Sequence, residues 1–210
     1  MIVISDTTPL RYLIEIEQVH ILETLFGKII IPEKVADELQ HPKTPHQVKS
    51  WMQALPDWLE VRKADLTFFT PQKKIDDGER EAFALALELN ADAVLLDDKY
   101  ALTEAKRLNL QTIALFTLFE IAAARNLINL PQTIEAIRQT NFRLPPESDI
   151  QTMLARDAQH REDRQAHRAD RQEVGPGARR QRRPQMGEAE EQVAERKQPI
   201  HRVQQEGPAR

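Results

Sequence analysis

No cysteine occurs in the 210 residues, which removes disulfides, thiolate-bound zinc and cysteine nucleophiles together. Glycine is scarce: only Gly27 and Gly78 precede the Pro145-Pro146 pair, so no glycine-rich loop exists to cradle phosphates. The histidines stand at 20, 41, 46, 160, 167 and 201 with no metal-ligand pair at helical spacing, and neither Ser5 nor Ser50 has a nearby histidine in the manner of a hydrolase triad. Aromatic residues make up 5% of the chain, and both tryptophans fall in the segment WMQALPDWLE, which leaves a glycosidase carboxylate pair without a sugar platform. No apolar run approaches the roughly 20 residues of a membrane span. Asp6 interrupts MIVISDTTPLRYL before the hydrophobic stretch of a secretory leader can form, so the expectation is a cytoplasmic protein.

Acid is what the chain has in quantity. Residues 1–150 hold 16 Lys/Arg against 23 Asp/Glu, whereas residues 151–210 hold 13 against 10. An acidic amino-terminal part is the opposite of the basic stripe of a passive nucleic-acid binder. It suits carboxylates gathered for chemistry, or a soluble acidic surface. With 40% hydrophobic residues the chain can bury one solid core.

Short Ile/Val/Leu-rich runs predict strands at 2–5, 28–31, 59–61, 93–96 and 111–114. Helical periodicity lies between and after them, at 9–16, 19–26, 33–40, 47–55, 78–89, 100–108, 116–125 and 131–140. Strands alternating with helices imply an α/β fold, a parallel sheet covered on both faces. A last helix is expected from Glu147 to about Ala158, with a folded domain over 1–158. Residues 159–210 contain no Leu, Phe, Tyr or Trp and are dominated by Arg, Gln, Glu, Ala, Gly and Pro, so they read as a disordered tail. Its GARRQRRPQ run is either a grip for RNA or a partner, or a solvated charge cluster.

Four carboxylates stand where the apolar pattern calls for burial. Asp6 and Asp97 each follow a predicted strand, the position that points into the ligand crevice of a parallel sheet; the competing role is to cap the next helix. From Glu79, the residues three, four and seven on are Ala82, Phe83 and Ala86, which places its carboxylate on the inward stripe of its helix. Glu38 looks back three and seven residues to Val35 and Ile31, whereas Glu33 and Asp37 lie on other faces. Asp76, Asp77 and Glu81 are the neighbours that would substitute for Glu79 in a shifted register, and Asp98 is the rival of Asp97. Carboxylates without Cys or paired His suit Mg²⁺ or Mn²⁺ before Zn²⁺.

The ordered set VISDTTPLRYL, IIIPEKVADEL, DDGEREAFALALEL and ADAVLLDDKYALTEAKRLNL resembles the PIN-domain superfamily, and more narrowly its prokaryotic subgroup that opens Asp-Thr-Ser/Thr-Pro-Leu. The resemblance covers roughly residues 1–157 and implies a three-layer α/β/α sandwich with a central, mainly parallel sheet. It implies a metal-dependent ribonuclease using Mg²⁺ or Mn²⁺, in many such proteins the toxin of a toxin-antitoxin pair. Its four acids match Asp6, Glu38, Glu79 and Asp97, with Asp98 beside the last and Thr7 or Thr8 in the supporting hydroxyl position. The implied mechanism has Asp6 and Asp97 bind the metal, Glu79 complete the shell, and Glu38 orient a water or a second ion. Arg11 and Lys99 are candidates for RNA phosphates or are solvated charges. The expected partners are an RNA substrate, a co-encoded antitoxin and, through exposed helical faces, a second copy of the chain. Two other classes compete: a catalytically silent PIN-like protein-interaction or RNA-binding module, and a metal-dependent phosphatase of small substrates.

Overall fold

The computed structural model describes residues 1–72 and 74–173, with side chains described through His167. The GARRQRRPQ run and the rest of the expected tail beyond residue 173 lie outside the described residues.

Five strands form one sheet: β1 (Val3–Ser5), β2 (Ile29–Pro32), β3 (Leu59–Arg62), β4 (Ala93–Leu95) and β5 (Thr112–Ile113), in the order β3-β2-β1-β4-β5. Every pairing is parallel. The helices are α1 (Thr7–Glu15), α2 (Ile21–Phe26), α3 (Glu33–Leu39), α4 (His46–Met52), α5 (Asp77–Glu88), α6 (Lys99–Arg107), α7 (Leu115–Ala124), α8 (Leu130–Arg138) and α9 (Glu147–Glu173). A single 3₁₀ turn covers Leu66–Phe68.

The strands explain the layering. Successive side chains of a strand point to opposite faces, and here both faces are oily. Val3, Ile29, Ile31 and Leu95 pack into one core with Leu10 and Leu13 of α1, Val35 and Leu39 of α3, and Phe119 of α7. Their alternates Ile4, Ile30 and Val94 enter a second core with Ala82, Phe83 and Leu85 of α5 and Ala101 and Ala105 of α6. Strands buried on both sides read as continuous apolar runs rather than as alternation, which is why the central strands were legible without periodicity. The chain is a three-layer α/β/α sandwich with a wholly parallel sheet.

From β1 the chain winds outward to β2 and β3, then crosses back and winds the other way through β4 and β5. The reversal lies between β1 and β4, and in doubly wound sheets the crevice outside the carboxyl ends at such a reversal is where ligands bind. The first residue beyond β1, Asp6, donates its backbone N–H to the carbonyl of Leu95 at 3.0 Å and so closes the two strands together at this point.

Most elements lie within a few residues of the sequence expectation, and two differences bear on the fold. Pro32, between the predicted strand 28–31 and the predicted helix 33–40, is the last residue of β2 and the N-cap of α3, because its extended ψ of 159° continues the strand. The last helix runs to Glu173 instead of ending near Ala158, so residues 159–173, expected in the tail, are helical. Side-chain pairs at i,i+4 sustain that helix where apolar burial ends: Arg161 pairs with Asp157 at 2.8 Å and Gln159 donates to Asp163 at 3.0 Å. Arg164 also donates to the carbonyl of Ala124 on α7 at 3.2 Å.

Phe83 is fully buried and meets Phe69 edge-on at 5.6 Å between ring centres. Phe83→Ala should lower unfolding stability by about 3–5 kcal/mol in chemical denaturation, whereas Phe68→Ala, at a ring that is 51% exposed, should stay within about 0.5 kcal/mol of the parent.

Candidate active site

Asp6 is the most constrained residue of the crevice. It is 4% exposed, and one carboxylate oxygen, Oδ1, is buried with no hydrogen-bond partner among the described residues. It occupies the N-cap position of α1, yet its side chain forms no capping hydrogen bond. Burial pushes its carboxyl pKa up to about 8, the charges of Asp76 and Glu79 push the same way, and the backbone amides of Thr7 and Thr8 only partly oppose them.

Glu79 reaches the same crevice from the start of α5 and is also 4% exposed. Asp76 and Glu79 form a capping box: Glu79 N–H donates to Asp76 Oδ1 at 2.8 Å, and Asp76 N–H donates to Glu79 Oε2 at 2.9 Å. Burial raises the Glu79 pKa to about 7; that backbone bond opposes the rise, and the charges of Asp76, Asp98 and Glu38 reinforce it.

Glu38 approaches from α3. The Thr7 hydroxyl donates to its Oε2 at 2.6 Å. Its pKa is raised by burial and by Asp76 and Asp77, against the pull of the Thr7 bond and of Lys34. Gly78 makes the approach possible: a Cβ there would stand 3.1 and 3.2 Å from the two Glu38 oxygens and 3.4 Å from Asp76 Oδ1. The Gly-Glu pair at the head of α5 thus lets one helix start sit directly on the carboxylate of another.

Asp97 and Asp98 leave β4 side by side and diverge. Both Asp97 oxygens accept from the backbone N–H of Leu115, at 3.1 and 3.2 Å, which ties β4 to the first turn of α7. Burial raises the Asp97 pKa to about 6 against that bond. Asp98 caps α6, its Oδ1 accepting from Tyr100 N–H at 2.7 Å and Ala101 N–H at 3.0 Å. It is Asp98 whose charge acts on Glu79.

The structure therefore brings Asp6, Glu38 and Glu79 together, joins Asp98 to them electrostatically, and turns Asp97 toward α7. Glu33 and Asp37 are exposed on α3, and Glu81 is spent on α3, accepting from Lys34 N–H at 3.1 Å. Asp76, given in the sequence only a substitute's role, is a full neighbour of the cluster, and its D-x-x-E spacing before an apolar run is the signal that finds it. Ser50 does have a histidine neighbour, His46, whose Nδ1 lies 3.3 Å from its hydroxyl, but the pair is exposed one turn apart on α4, and among the described residues neither bonds to a carboxylate.

Two hollows meet at Asp98. One, of about 590 Å³, is lined by Lys74, Ile75, Asp76, Glu79, Asp98 and Tyr100. The other, of about 650 Å³, includes Thr7, Thr8, Arg11, Asp97, Lys99 and Arg143. Arg11 pairs with Glu15 at 2.6 Å, and Lys99 is exposed. Among the described residues no ion pair includes Asp6, Glu38, Asp76, Glu79, Asp97 or Asp98. No three acidic or histidine side chains among them stand close enough to close around one ion as they lie. Local bonds account for this spread: Glu38 to Thr7, Glu79 to Asp76, Asp97 to Leu115 and Asp98 to α6. The donor set nonetheless fits a hard divalent cation. It is all oxygen, it repels itself, and Asp6 Oδ1 is a buried acceptor with nothing to accept.

A family model described as a PIN domain matches residues 2–156, and the chain belongs to that family, whose fold is of nuclease type. No curated protein and no solved structure matches the chain significantly.

The raised pKa of Asp6 fixes a pH dependence. An aspartate with an ordinary value of 3.8 ionises in the unfolded chain well before it ionises in the fold, near 8. Over that window the unfolded chain binds fewer protons, so stability is full below about pH 4 and is lost as pH rises through 8. With divalent ions chelated, Asp6→Asn should flatten the fall of the melting temperature between pH 5 and 8 and should melt at least about 3 °C above the parent at pH 8. An unchanged slope would contradict the burial assigned to this carboxyl. Gly78→Ala is the complementary change: a first-turn alanine favours the helix by up to about 1 kcal/mol, so any gain or near-neutral effect in stability should coincide with displacement of Glu38, read as loss of whatever activity the site carries.

Proposed function

We propose that this PIN-domain protein is a Mg²⁺- or Mn²⁺-dependent ribonuclease hydrolysing phosphodiester bonds. The observation that carries the reading is Asp6: a sealed carboxylate oxygen without a donor, at the reversal point of the sheet, beside Glu79 and Asp76 and, among the described residues, with no cation paired to any of them. A buried charge without a partner is costly, and a divalent ion is the partner whose chemistry this all-oxygen site matches.

Asp6, Glu79 and the two acids at the end of β4, Asp97 and Asp98, would hold the ion. When bound, it lowers the pKa of its water to give a nucleophile near neutral pH and offsets the charge that builds on the phosphate. Thr7 fixes Glu38 through Oε2, which leaves Oε1 to accept a proton from, or orient, the attacking water. Glu38's raised pKa suits a group that takes up that proton. Arg11 and Lys99, which line the second hollow with Asp98, would meet phosphates of the substrate strand.

The subgroup opening Asp6-Thr7-Thr8-Pro9-Leu10 extends the proposal to a toxin of a toxin-antitoxin pair. The partner would be an antitoxin that sets an Arg or Lys among the carboxylates, where one cation replaces the charge of another. Expression in a bacterial host should then slow growth, with rescue by the co-encoded partner; normal growth at high soluble expression would remove the toxin role and leave the nuclease.

The direct test is cleavage of a mixed RNA pool with Mn²⁺ or Mg²⁺, and with EDTA as control. Asp6→Asn and Glu79→Gln should each lose more than the roughly 10- to 100-fold that supporting residues around a metal are worth, whereas Glu33→Gln and Asp37→Asn should leave the rate unchanged. Cleavage that ignores EDTA, or an Asp6→Asn protein as fast as the parent, would overturn the assignment. Metal binding without cleavage of RNA or of an aryl phosphate would favour the silent interaction module.

A further inference from the structure

Tyr100 is the most exposed large apolar side chain among the described residues, at 68%, and it stands on the rim of the hollow that holds Asp76, Glu79 and Asp98. Its backbone is held in place. Asp98 accepts its N–H at 2.7 Å and that of Ala101 at 3.0 Å, so the residue that carries the ring stands two positions from an acid of the site, in the first turn of α6. Folding gives no reason for the ring to be there: neither core includes it, no ring contact involves it, and its hydroxyl makes no hydrogen bond among the described residues. Its neighbours Lys74 and Ile75 supply a cation and an apolar edge on the same hollow. On the far side of Asp98, the second hollow carries Arg11, Lys99, Asn141 and Arg143 and shares no residue with the first except Asp98. A chain of alternating phosphates and flat bases laid across the acids would meet an aromatic face on one side and guanidinium groups on the other.

We propose that Tyr100 is a base-stacking, positioning residue that receives an unpaired nucleobase next to the scissile phosphate. The inference rests on the ribonuclease reading above. Stacking on an aromatic side chain requires a base that is splayed out, as in loops and single strands; a base paired in an A-form helix does not present its face. Stacking is tolerant of sequence because every base has a π-face. Tyr100 accordingly selects strandedness, and any base preference arises elsewhere.

The experiment pairs steady-state kinetics with an abasic substitution. Tyr100→Ala should raise KM for a short single-stranded RNA by about 5- to 100-fold, the range for loss of one stacked base, while kcat changes little because no acid is touched. Tyr100→Phe and Tyr100→Trp should keep the parent's KM, since the ring face and not the hydroxyl is used. In the Asp6→Asn background, where turnover is removed, equilibrium binding of oligonucleotides that carry one abasic site stepped along the strand should show a single position at which the parent Tyr100 protein loses affinity and the Tyr100→Ala protein loses none further. A KM unchanged in Tyr100→Ala, a defect reproduced by Tyr100→Phe, or an abasic penalty equal in both proteins would overturn the stacking role while leaving the nuclease intact. Failure of the parent to bind or cleave any RNA would overturn the ribonuclease reading and this inference with it.

Discussion

A carboxylate with one oxygen sealed from water and unpaired among the described residues is the constraint around which the rest of this molecule is arranged. Burying a lone charge is among the costliest things a fold can do, and the usual escapes are a paired cation, a full set of hydrogen bonds, or protonation. Asp6 has neither of the first two among the described residues, and its pKa near 8 describes the third. The sheet reversal makes the position unavoidable: β1 and β4 are hydrogen-bonded neighbours, and the residue after β1 is bound to Leu95 before it can turn outward. The position costs stability at neutral pH, because a buried, unpaired carboxylate must either lose its charge or stand without a partner.

The neighbouring acids follow from that placement. α5 begins at the crevice because Asp76 and Glu79 satisfy each other's backbone amides, and Gly78 between them has no Cβ to keep Glu38 away. Each acid is thus held by a bond local to its own element while its charge is felt by the others. The same arrangement separates positioning from chemistry: Thr7 orients Glu38, and Leu115 holds Asp97 to α7.

Much of this was legible in the amino-acid sequence, for reasons that can be named. The central strands are buried on both faces, so Val3, Ile4, Ile29 to Ile31 and Ala93 to Leu96 form apolar runs that need no partner to be recognised. Asp6 and Asp97 stood out because they end such runs. Glu79 and Glu38 were singled out by helical spacing, and both lie in the crevice. The D-x-x-E spacing marks Asp76 as a cap, but its weight in the cluster was not legible, because a capping aspartate looks the same whether or not its helix starts at a site. The divergence of Asp97 from Asp98 was equally hidden, since it depends on an amide 18 residues away, at Leu115. The length of the last helix was missed because charged i,i+4 pairs, not an apolar stripe, carry it past Ala158.

The account stands or falls on whether the acidic crevice takes a divalent cation as its missing partner. Electron paramagnetic resonance of Mn²⁺ titrated into the full chain at pH 8 measures that directly, because free and bound ion give distinct signals. The parent should bind Mn²⁺ at a stoichiometry of at least one, Mg²⁺ should compete it off, Asp6→Asn should abolish the tight site, and Glu33→Gln should leave it unchanged. Equal Mn²⁺ binding by the parent and by Asp6→Asn, or none by either, would contradict the central claim.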